Sequence, residues 1–424
     1  MPEKNAVVIF NTLTKNIASV DQDLIDSLRQ SEFLRLSKEE LLNLKDTKII
    51  VEHQFNEIAY LKYLLGKVKY TKLGMFISLT TDCNLKCSYC FADYAGAFPQ
   101  NHALSWSNFE RLLQFIDAQT SREGLRQLNV VFFGGEPLMN YDVLHRAAKA
   151  LKAYEKNAID VALTLITNGT LLTADRCSDL SPYITHLQIT IDGTKAVHDL
   201  RRPYKDGRGS YDEILANLKI ATKYFKNIVV HSVIDSKSIP NIHALLSELR
   251  AHGLDEHKIS VDFAPESPSQ TTVATGGWSR TAQADLFEIT AKLYTFAAEL
   301  GYHPAKAFVR GPCMRICANA IAVDERLNVY KCPADFGRPH PDGVIDEQGH
   351  LLISHPNWYE SVTFEPHCVA DCVYAPICYG GCRWLAGSLE KTCKEWLDMC
   401  IHGMIRSYVQ ARYPMKLDSH GVTI

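Results

Sequence analysis

Residues Gly74 to Cys90 read GMFISLTTDCNLKCSYC. The first half is an apolar run of strand length, and the second half spaces Cys83, Cys87 and Cys90 four and three residues apart. A strand that runs straight into three cysteines decides the fold reading, because it states where on a sheet a metal centre would sit. Closed structural metal sites use four protein ligands, whereas three thiolates leave one metal position open to a substrate or cofactor.

Working outward, five further apolar runs follow: LNVVFFGGE (128 to 136), VALTLITNG (161 to 169), ITHLQITIDG (184 to 193), NIVVHSVID (227 to 235) and KISVDFAPE (258 to 266). Amphipathic stretches lie between the runs, among them NFERLLQFIDAQ, YDVLHRAAKALKAYEK and SYDEILANLKIATKYF, the last opening on a Ser210-x-x-Glu213 capping box. Strand-like and helix-like segments in alternation predict an α/β fold with a parallel sheet. The cysteines, Gly134-Gly135-Glu136, Thr167-Asn168-Gly169 and Asp192-Gly193 each fall at the C-terminal end of a strand. Ligands bind at that edge of parallel sheets and barrels, so these motifs are expected at one mouth.

Residues 1–72 read as a separate small α+β unit. AVVIF and NIASV flank NTLTK as a hairpin, followed by a helix near Asp23 to Gln30, a Ser37-x-x-Glu40 capping box and a helix around Val51 to Lys67. After about residue 305 the alternation stops and the chain becomes rich in cysteine, proline and glycine, as where metal ligation replaces a large core. The expected division is 1–72, 73–305 and 306–424.

The 424 residues, 46% hydrophobic and 22% charged, are enough for two or three domains of an ordinary globular enzyme. A net charge of -3 provides no basic field for nucleic acid or an anionic membrane surface. No apolar stretch is long enough to span a bilayer and the first residues lack a cleavable leader pattern, so the expectation is a cytoplasmic protein. Of the thirteen cysteines, three lie at 83 to 90, one at 177 and nine between 313 and 400. An odd and uneven set argues for reduced, metal-holding thiolates over a disulfide framework. Cys177 reads as a small core residue, and the sixteen histidines mostly carry no ligand-like spacing.

CNLKCSYC resembles the CxxxCxxC signature of the radical S-adenosylmethionine enzymes. The resemblance implies a partial (β/α)6 TIM-like barrel in which the three cysteines hold a [4Fe-4S] cluster whose bare iron binds S-adenosyl-L-methionine. One electron then cleaves the sulfonium, and the resulting 5′-deoxyadenosyl radical abstracts a hydrogen atom from substrate. GGEP at Gly134, Gly135, Glu136 and Pro137 is similar to the family's element that contacts the methionine amino group. Tyr89 and Phe91 match aromatic positions beside the adenine, although each could equally be core packing. Thr167, Asn168 and Gly169 occupy an expected later position, and Asp192 and Arg202 are implied contacts for the ribose and carboxylate.

The nine later cysteines, Cys313, Cys317, Cys332, Cys368, Cys372, Cys378, Cys382, Cys393 and Cys400, are separated by 4, 15, 36, 4, 6, 4, 11 and 7. CVADCVYAPICYGGC resembles the SPASM extension of that family, departing from it where three residues, and not two, separate Cys368 from Cys372. The resemblance implies two auxiliary clusters and thus three in all, one held by Cys313, Cys317, Cys332 and Cys382, the other by Cys368, Cys372, Cys378 and Cys400. Cys393 competes with Cys400 for the last place. Tetrahedral zinc is the rival reading of this region and would make it a passive module.

Enzymes of this layout mostly modify peptides or proteins, and the 1–72 segment looks like a small leader-recognition domain. The expectation is a maturase that installs an oxidative side-chain crosslink in a ribosomally made precursor peptide, served by a reductase such as flavodoxin or ferredoxin. The alternatives are an anaerobic sulfatase maturase making formylglycine, a peptide epimerase, and a non-enzymatic metal-binding scaffold. Sulfatase maturases place an aspartate base directly after an auxiliary-cluster cysteine. Here Cys332 is followed by Pro333-Ala334-Asp335, which makes Asp335 the candidate base, and Cys393 is the candidate hydrogen donor for an epimerase.

Overall fold

The computed structural model describes residues 6–14, 16–57, 59–63, 71–90, 102–121, 124–235, 238–255, 257–266, 280–304, 313–317, 319–355, 358, 372–378, 401, 405 and 422–423. Phe91, Cys368, Cys382, Cys393 and Cys400 lie outside the described residues.

The first elements are the expected hairpin, β1 (Ala6–Phe10) and β2 (Ile17–Asp21), paired antiparallel from Ala6↔Asp21 to Phe10↔Ile17. Helices α1 (Gln22–Arg29) and α2 (Lys38–Asp46) follow. The Ser37 capping box forms as read: Glu40 N–H donates to the Ser37 hydroxyl at 3.2 Å and Ser37 N–H donates to Glu40 Oε2 at 2.7 Å. Asn11 ties the hairpin turn to the end of α2 by donating to Lys48 O at 2.6 Å.

The middle of the chain winds as strand and helix in turn: β3 (Lys72–Ser78), α3 (Trp106–Thr120), β4 (Gln127–Phe133), α4 (Tyr141–Lys152), β5 (Asp160–Thr167), α5 (Ala174–Leu180) and β6 (His186–Thr190). Two helices, α6 (Lys195–Arg201) and α7 (Tyr211–Ala221), precede β7 (Ile228–Ile234), and α8 (Ile239–Ala251), β8 (Ser260–Pro265) and α9 (Arg280–Glu299) complete the series. Strands β3 to β8 are parallel and neighbour one another in sequence order, as the alternation requires.

Each strand has a helix-facing side and a lumen-facing side. In β5, Val161, Leu163 and Leu165 are buried against the helices while Ala162, Thr164 and Ile166 are half-buried on the other face. In β7, Ile228, Val230 and Ile234 take the first role and Val229, His231 and Val233 the second. The apolar side merges with the inner faces of α3, α4, α7 and α8 into one core. Cys177 is fully buried there, as the sequence reading expects.

The Ser210-Glu213 capping box does not form. Ser210 has helical backbone angles (φ -108, ψ -10) and its side chain does not cap the helix. Its hydroxyl donates instead to Arg202 O at 2.6 Å, and Asp199 Oδ1 accepts from Tyr211 N–H at 2.8 Å at the start of α7. Tertiary bonds within a buried network displaced the local cap.

The sequence pattern did not foresee that the barrel sheet continues past β3. Strand β9 (Ala320–Val323) pairs parallel with β3, and β10 (Asn328–Tyr330), β11 (Gly343–Ile345) and β12 (Leu351–Ile353) extend it antiparallel, for ten strands in one sheet. These strands are three or four residues long and lie among cysteines, prolines and turns, too short for a period-2 signal. The short helix α10 (Ala375–Cys378) follows, and β13 (Val422–Thr423) pairs parallel with β1 through Val8↔Val422. The hairpin turn also reaches this region, Thr12 donating to Val373 O at 2.6 Å. Among the described residues no helix is long and apolar enough to cross a membrane.

Arg111 of α3 fastens the added strands to the barrel, donating to Ile345 O at 2.7 Å and Asp346 O at 2.8 Å. Arg111→Met keeps most of the side-chain volume and removes both bonds. It should cost about 1–3 kcal/mol of stability, read as a lowered urea midpoint at unchanged slope.

Candidate active site

The cysteine loop leaves the end of β3 and is held by backbone along its length. Thr81 N–H donates to His102 O at 2.9 Å, Lys86 N–H to Pro203 O at 2.8 Å and Ser88 N–H to Arg201 O at 2.9 Å. An isolated bridge between Leu85 and Tyr204 makes the loop run beside the segment after α6 like a short strand.

The loop is seated on the turn after β4. A Cβ at Gly134, whose φ is +142°, would stand 2.4 Å from Thr80 O, and one at Gly135 would stand 2.3 Å from Asp82 O. Glycine alone permits this approach. Gly135 N–H then donates to Thr80 O at 2.8 Å and Glu136 N–H to Asp82 O at 2.7 Å.

The Glu136 carboxylate is fully buried and turned toward the protein. Oε1 accepts from Leu138 N–H at 3.0 Å and the Thr167 hydroxyl at 2.7 Å, and Oε2 accepts from Asn168 N–H at 2.7 Å. Burial pushes this carboxyl above its ordinary range, against the pull of its donors. Asn168, so fixed, donates through Nδ2 to Asn84 Oδ1 at 2.8 Å and toward Cys83 Sγ at 3.8 Å. Leu85 N–H also donates to Cys83 Sγ at 3.4 Å. The Cys83 sulfur therefore faces two N–H groups, an arrangement that suits a thiolate.

A second buried network stands beside Cys87. The Tyr89 hydroxyl donates to Asp192 Oδ2 and accepts from Arg202 Nη1, and the Arg201 and Arg202 guanidinium carbons lie 4.8 and 5.8 Å from the Tyr89 ring centroid. Asp192 Oδ1 accepts from Val233 N–H at 2.9 Å, while Oδ2 lies 3.7 Å from Arg201 Nε and 3.9 Å from Arg202 Nη1. Arg201 reaches Asp235 at 2.6 Å and Glu266 at 3.2 Å as well. Behind them Asp192 N–H donates to His198 Nδ1 at 3.3 Å, and His198 Nε2 lies 3.0 Å from the Ser210 hydroxyl. Because Ser210 donates onward to Arg202 O, the network assigns the His198 proton to Nε2. Burial, reinforced by Arg202, pulls His198 down to about 4.

A cavity of about 780 Å³ opens between the loop and the barrel lumen, within the size range of cofactor and substrate pockets. Cys83, Cys87, Cys90, Tyr89, Gly134 and Gly135 border it on the loop side. Thr167, Asn168 and Arg202 form the rim, and Gln188, Thr190 and His231 stand in the lumen. Glu136, Pro137 and Asp192 do not border it: Glu136 and Asp192 act on residues that do, and Pro137 opens a buried turn behind Glu136. His231 escaped the sequence reading, which sought histidines at ligand spacing. The available signal was its place in the alternation of β7, level with Val229 and Val233 on the lumen face.

In the second cysteine group the β9–β10 hairpin sets ligand candidates side by side. Cys317 lies just before β9 and Cys332 just after β10, and the pairing Tyr330↔Ala322 puts both at one end of the hairpin, with Cys313 close enough for its charge to act on each. Lys331 is buried beside them, donates to Cys317 O at 2.6 Å and lies 4.5 Å from the Trp358 ring centroid. Burial pulls its ammonium down to about 8. Cys372 and Cys378 flank the single turn of α10, where Ala375 N–H donates to Cys372 O at 3.0 Å and Cys378 N–H to Tyr374 O at 2.8 Å. Asp335 is fully buried between Arg315 and Arg338, the latter at 2.5 Å, and does not border the cavity.

The thiols of the loop and of the β9–β10 hairpin are donors of the type that an iron–sulfur cluster or a zinc ion takes. Among the described residues no three Cys, His, Asp or Glu side chains gather tightly enough for one metal ion. Tetrahedral zinc would need its thiolates about 3.8 Å apart, from Zn–S bonds of about 2.3 Å, whereas a cluster ligated by one cysteine per iron holds its thiolates farther apart. Burial pushes the Cys83 thiol up to about 12 and those of Cys87, Cys317 and Cys332 up to about 11, so only binding of a cation makes them thiolates at neutral pH.

Residues 77–242 match the Radical SAM superfamily. The chain is 28% identical over 335 residues to the cysteine-type anaerobic sulfatase-maturating enzyme of Clostridium novyi (strain NT), covering 73% of this chain and 88% of that protein. It is similar in structure to native anSMEcpe with bound AdoMet, with a TM-score of 0.57 and 16% identity over 81% of this chain and 97% of the other. Streptococcus suis SuiB bound to precursor peptide SuiA is similar too, with a TM-score of 0.52 and 15% identity over 90% of this chain and 95% of the other. At such identities the structural likeness is one of fold.

Two outcomes follow from this geometry. Gly135→Ala forces the backbone of Asp82 to move and should both lower the melting temperature and reduce iron bound per chain after anaerobic reconstitution; a variant that melts and loads like the parent would contradict the packing described. His198 is neutral when folded, with its pKa depressed, so its contribution is complete above the unfolded value of 6.5 and is lost as pH falls toward about 4. That loss amounts to about 3 kcal/mol. His198→Gln should flatten the fall in urea stability across that window.

Proposed function

Residues 77–242 are a radical SAM domain, and on that premise we propose that this enzyme is a peptide maturase that removes two hydrogens from a ribosomally made precursor and leaves an oxidative side-chain crosslink. The observation that carries this reading is the cavity in which the cysteine loop faces a barrel lumen of mixed apolar and polar side chains, giving one wall to a cofactor and the other to a substrate. The similar SuiB structure contains its precursor peptide, which supports a peptide as the occupant.

In this reading Cys83, Cys87 and Cys90 would hold a [4Fe-4S] cluster, and the cavity bordered by Gly134 and Gly135 would take S-adenosylmethionine. Bound there, they supply a 5′-deoxyadenosyl radical able to take a hydrogen atom from an unactivated carbon. The chain's own part is positional. The two glycines let the turn after β4 seat the cysteine loop at Thr80 and Asp82, Asn168 orients Cys83, and Tyr89 and Arg202 make a rim fixed by Asp192. The auxiliary clusters are assigned to Cys313, Cys317, Cys332 and Cys382, and to Cys368, Cys372, Cys378 and Cys400.

The proposed units are 1–72 for leader recognition, 73–305 for the barrel and 306–424 for the auxiliary clusters. In the N-terminal sheet β1 lies between β2 and β13, so a leader strand would add at the outer edge of β2, where main-chain bonds give affinity with little side-chain demand. A flavodoxin or ferredoxin would deliver the electron.

A second reading, formylglycine formation on a sulfatase, is favoured by the coverage of the Clostridium novyi enzyme. It requires a base other than Asp335, which two arginines hold away from the cavity.

The test is the mass of each short peptide encoded beside the gene after anaerobic co-expression with this protein. Loss of two hydrogens that disappears with Cys87→Ala is the expected result, and linkage mapping then separates a crosslink from an aldehyde. Unchanged peptide masses together with oxidation of a co-expressed sulfatase cysteine would replace the first reading by the second. Cys83→Ala, Cys87→Ala and Cys90→Ala should each abolish deoxyadenosine formation while most iron stays bound; loss of all iron together would contradict separate clusters.

A further inference from the structure

The lumen wall of the cavity carries a dyad that neither the sequence motifs nor the loop network uses. His231 of β7 and Asp262 of β8 are direct partners in the parallel register, and His231 Nδ1 lies 2.7 Å from Asp262 Oδ2. Asp262 is almost completely buried, at 2% exposure, and its Oδ1 accepts from the hydroxyl of Tyr294 on α9 at 3.1 Å. The Tyr294 oxygen in turn accepts from Phe263 N–H at 3.3 Å. The order of donors runs one way, from backbone to phenol to carboxylate, and the carboxylate accepts a hydrogen bond from His231 Nδ1–H.

That order leaves His231 Nε2 as the lone-pair nitrogen. His231 borders the cavity with Gln188 and Thr190, and its side chain keeps 15% exposure while that of Asp262 keeps 3%. A carboxylate-backed imidazole that presents one basic nitrogen to a pocket is the arrangement of a general base.

We infer that His231 is the base that takes the heteroatom proton of the substrate side chain, with Asp262 and Tyr294 as positioning residues. The inference rests on the maturase reading above. In the step, the X–H bond of a substrate thiol, hydroxyl or amide breaks, an Nε2–H bond forms, and the electron pair stays on X. The imidazolium charge is met by the Asp262 carboxylate 2.7 Å away. This proton is the second of the two hydrogens removed; the first leaves as an atom from carbon, and an iron–sulfur cluster, which the later cysteines would hold, would be the acceptor of the remaining electron. The dyad supplies the base that Asp335, locked between Arg315 and Arg338, does not.

The test uses the reconstituted full chain, with the short peptides encoded beside the gene and a cysteine-containing sulfatase peptide as probes. His231→Gln should still form deoxyadenosine in response to peptide but yield roughly 100-fold less oxidised peptide per deoxyadenosine, within the range for loss of a general base. Asp262→Asn should lower the same ratio. Nitrogen-15 spectra of the protein as isolated should show the His231 proton on Nδ1 in the parent and shifted toward Nε2 in Asp262→Asn, a change that a merely structural pair would not link to product yield. An unchanged product ratio in His231→Gln, or a parent protonated on Nε2, overturns the inference while leaving the maturase reading intact. A parent that changes neither probe's mass overturns both. Should His231→Gln misfold, His231→Asn and the tautomer measurement decide the same question.

Discussion

The buried carboxylate of Glu136 is the interaction on which the site depends. It gathers donors from the turn after β4 and from the end of β5, while its own backbone N–H bonds Asp82 of the loop that follows β3. Three consecutive strand ends are thereby locked together through one residue, two by its carboxylate and the third by its backbone N–H. A carboxylate without such partners would be costly to bury, and here each oxygen is satisfied by at least one donor. Substitution of any member frees the others, so the motifs at this edge behave as a unit rather than as separate ligand contacts.

The Tyr89, Asp192, Arg201 and Arg202 network plays the matching part on the opposite rim. Arg201 and Arg202 face three carboxylates, Asp192, Asp235 and Glu266, so the two guanidiniums at the rim nearest Cys87 are held by pairing and leave no net positive charge there. His198, kept neutral behind them, adds no charge to this paired network.

Much of this was legible in the sequence. The apolar runs LNVVFF, VALTLIT and NIVVHSVI found their strands because each had a buried helix side strong enough to mark it, and GGE found its turn because glycine was needed for the contact with Thr80 and Asp82. What was not legible came from three-dimensional competition. Ser210 has the local pattern of a cap, yet its hydroxyl serves His198 and Arg202. Glu136 and Asp192 look like ligand contacts by position, and the direction in which a carboxylate turns cannot be read from a motif. His231 gained significance only from its register with Asp262, which is a relation between strands. The strands β9 to β12 were too short to announce themselves, and they hold because β3 offers an edge for β9.

That edge pairing sets a distance. Asn319, beside Cys317, is bonded to Gly74 near the start of β3, whereas the first cysteine loop begins after its end at Thr80. At about 3.3 Å per residue the two levels lie about 20 Å apart along the strand. Unit charges that far apart interact by only about 0.8 kcal/mol at an effective dielectric constant of about 20. The sheet thus acts as a spacer between two electrical poles, and a change of charge at one barely alters the potential felt at the other.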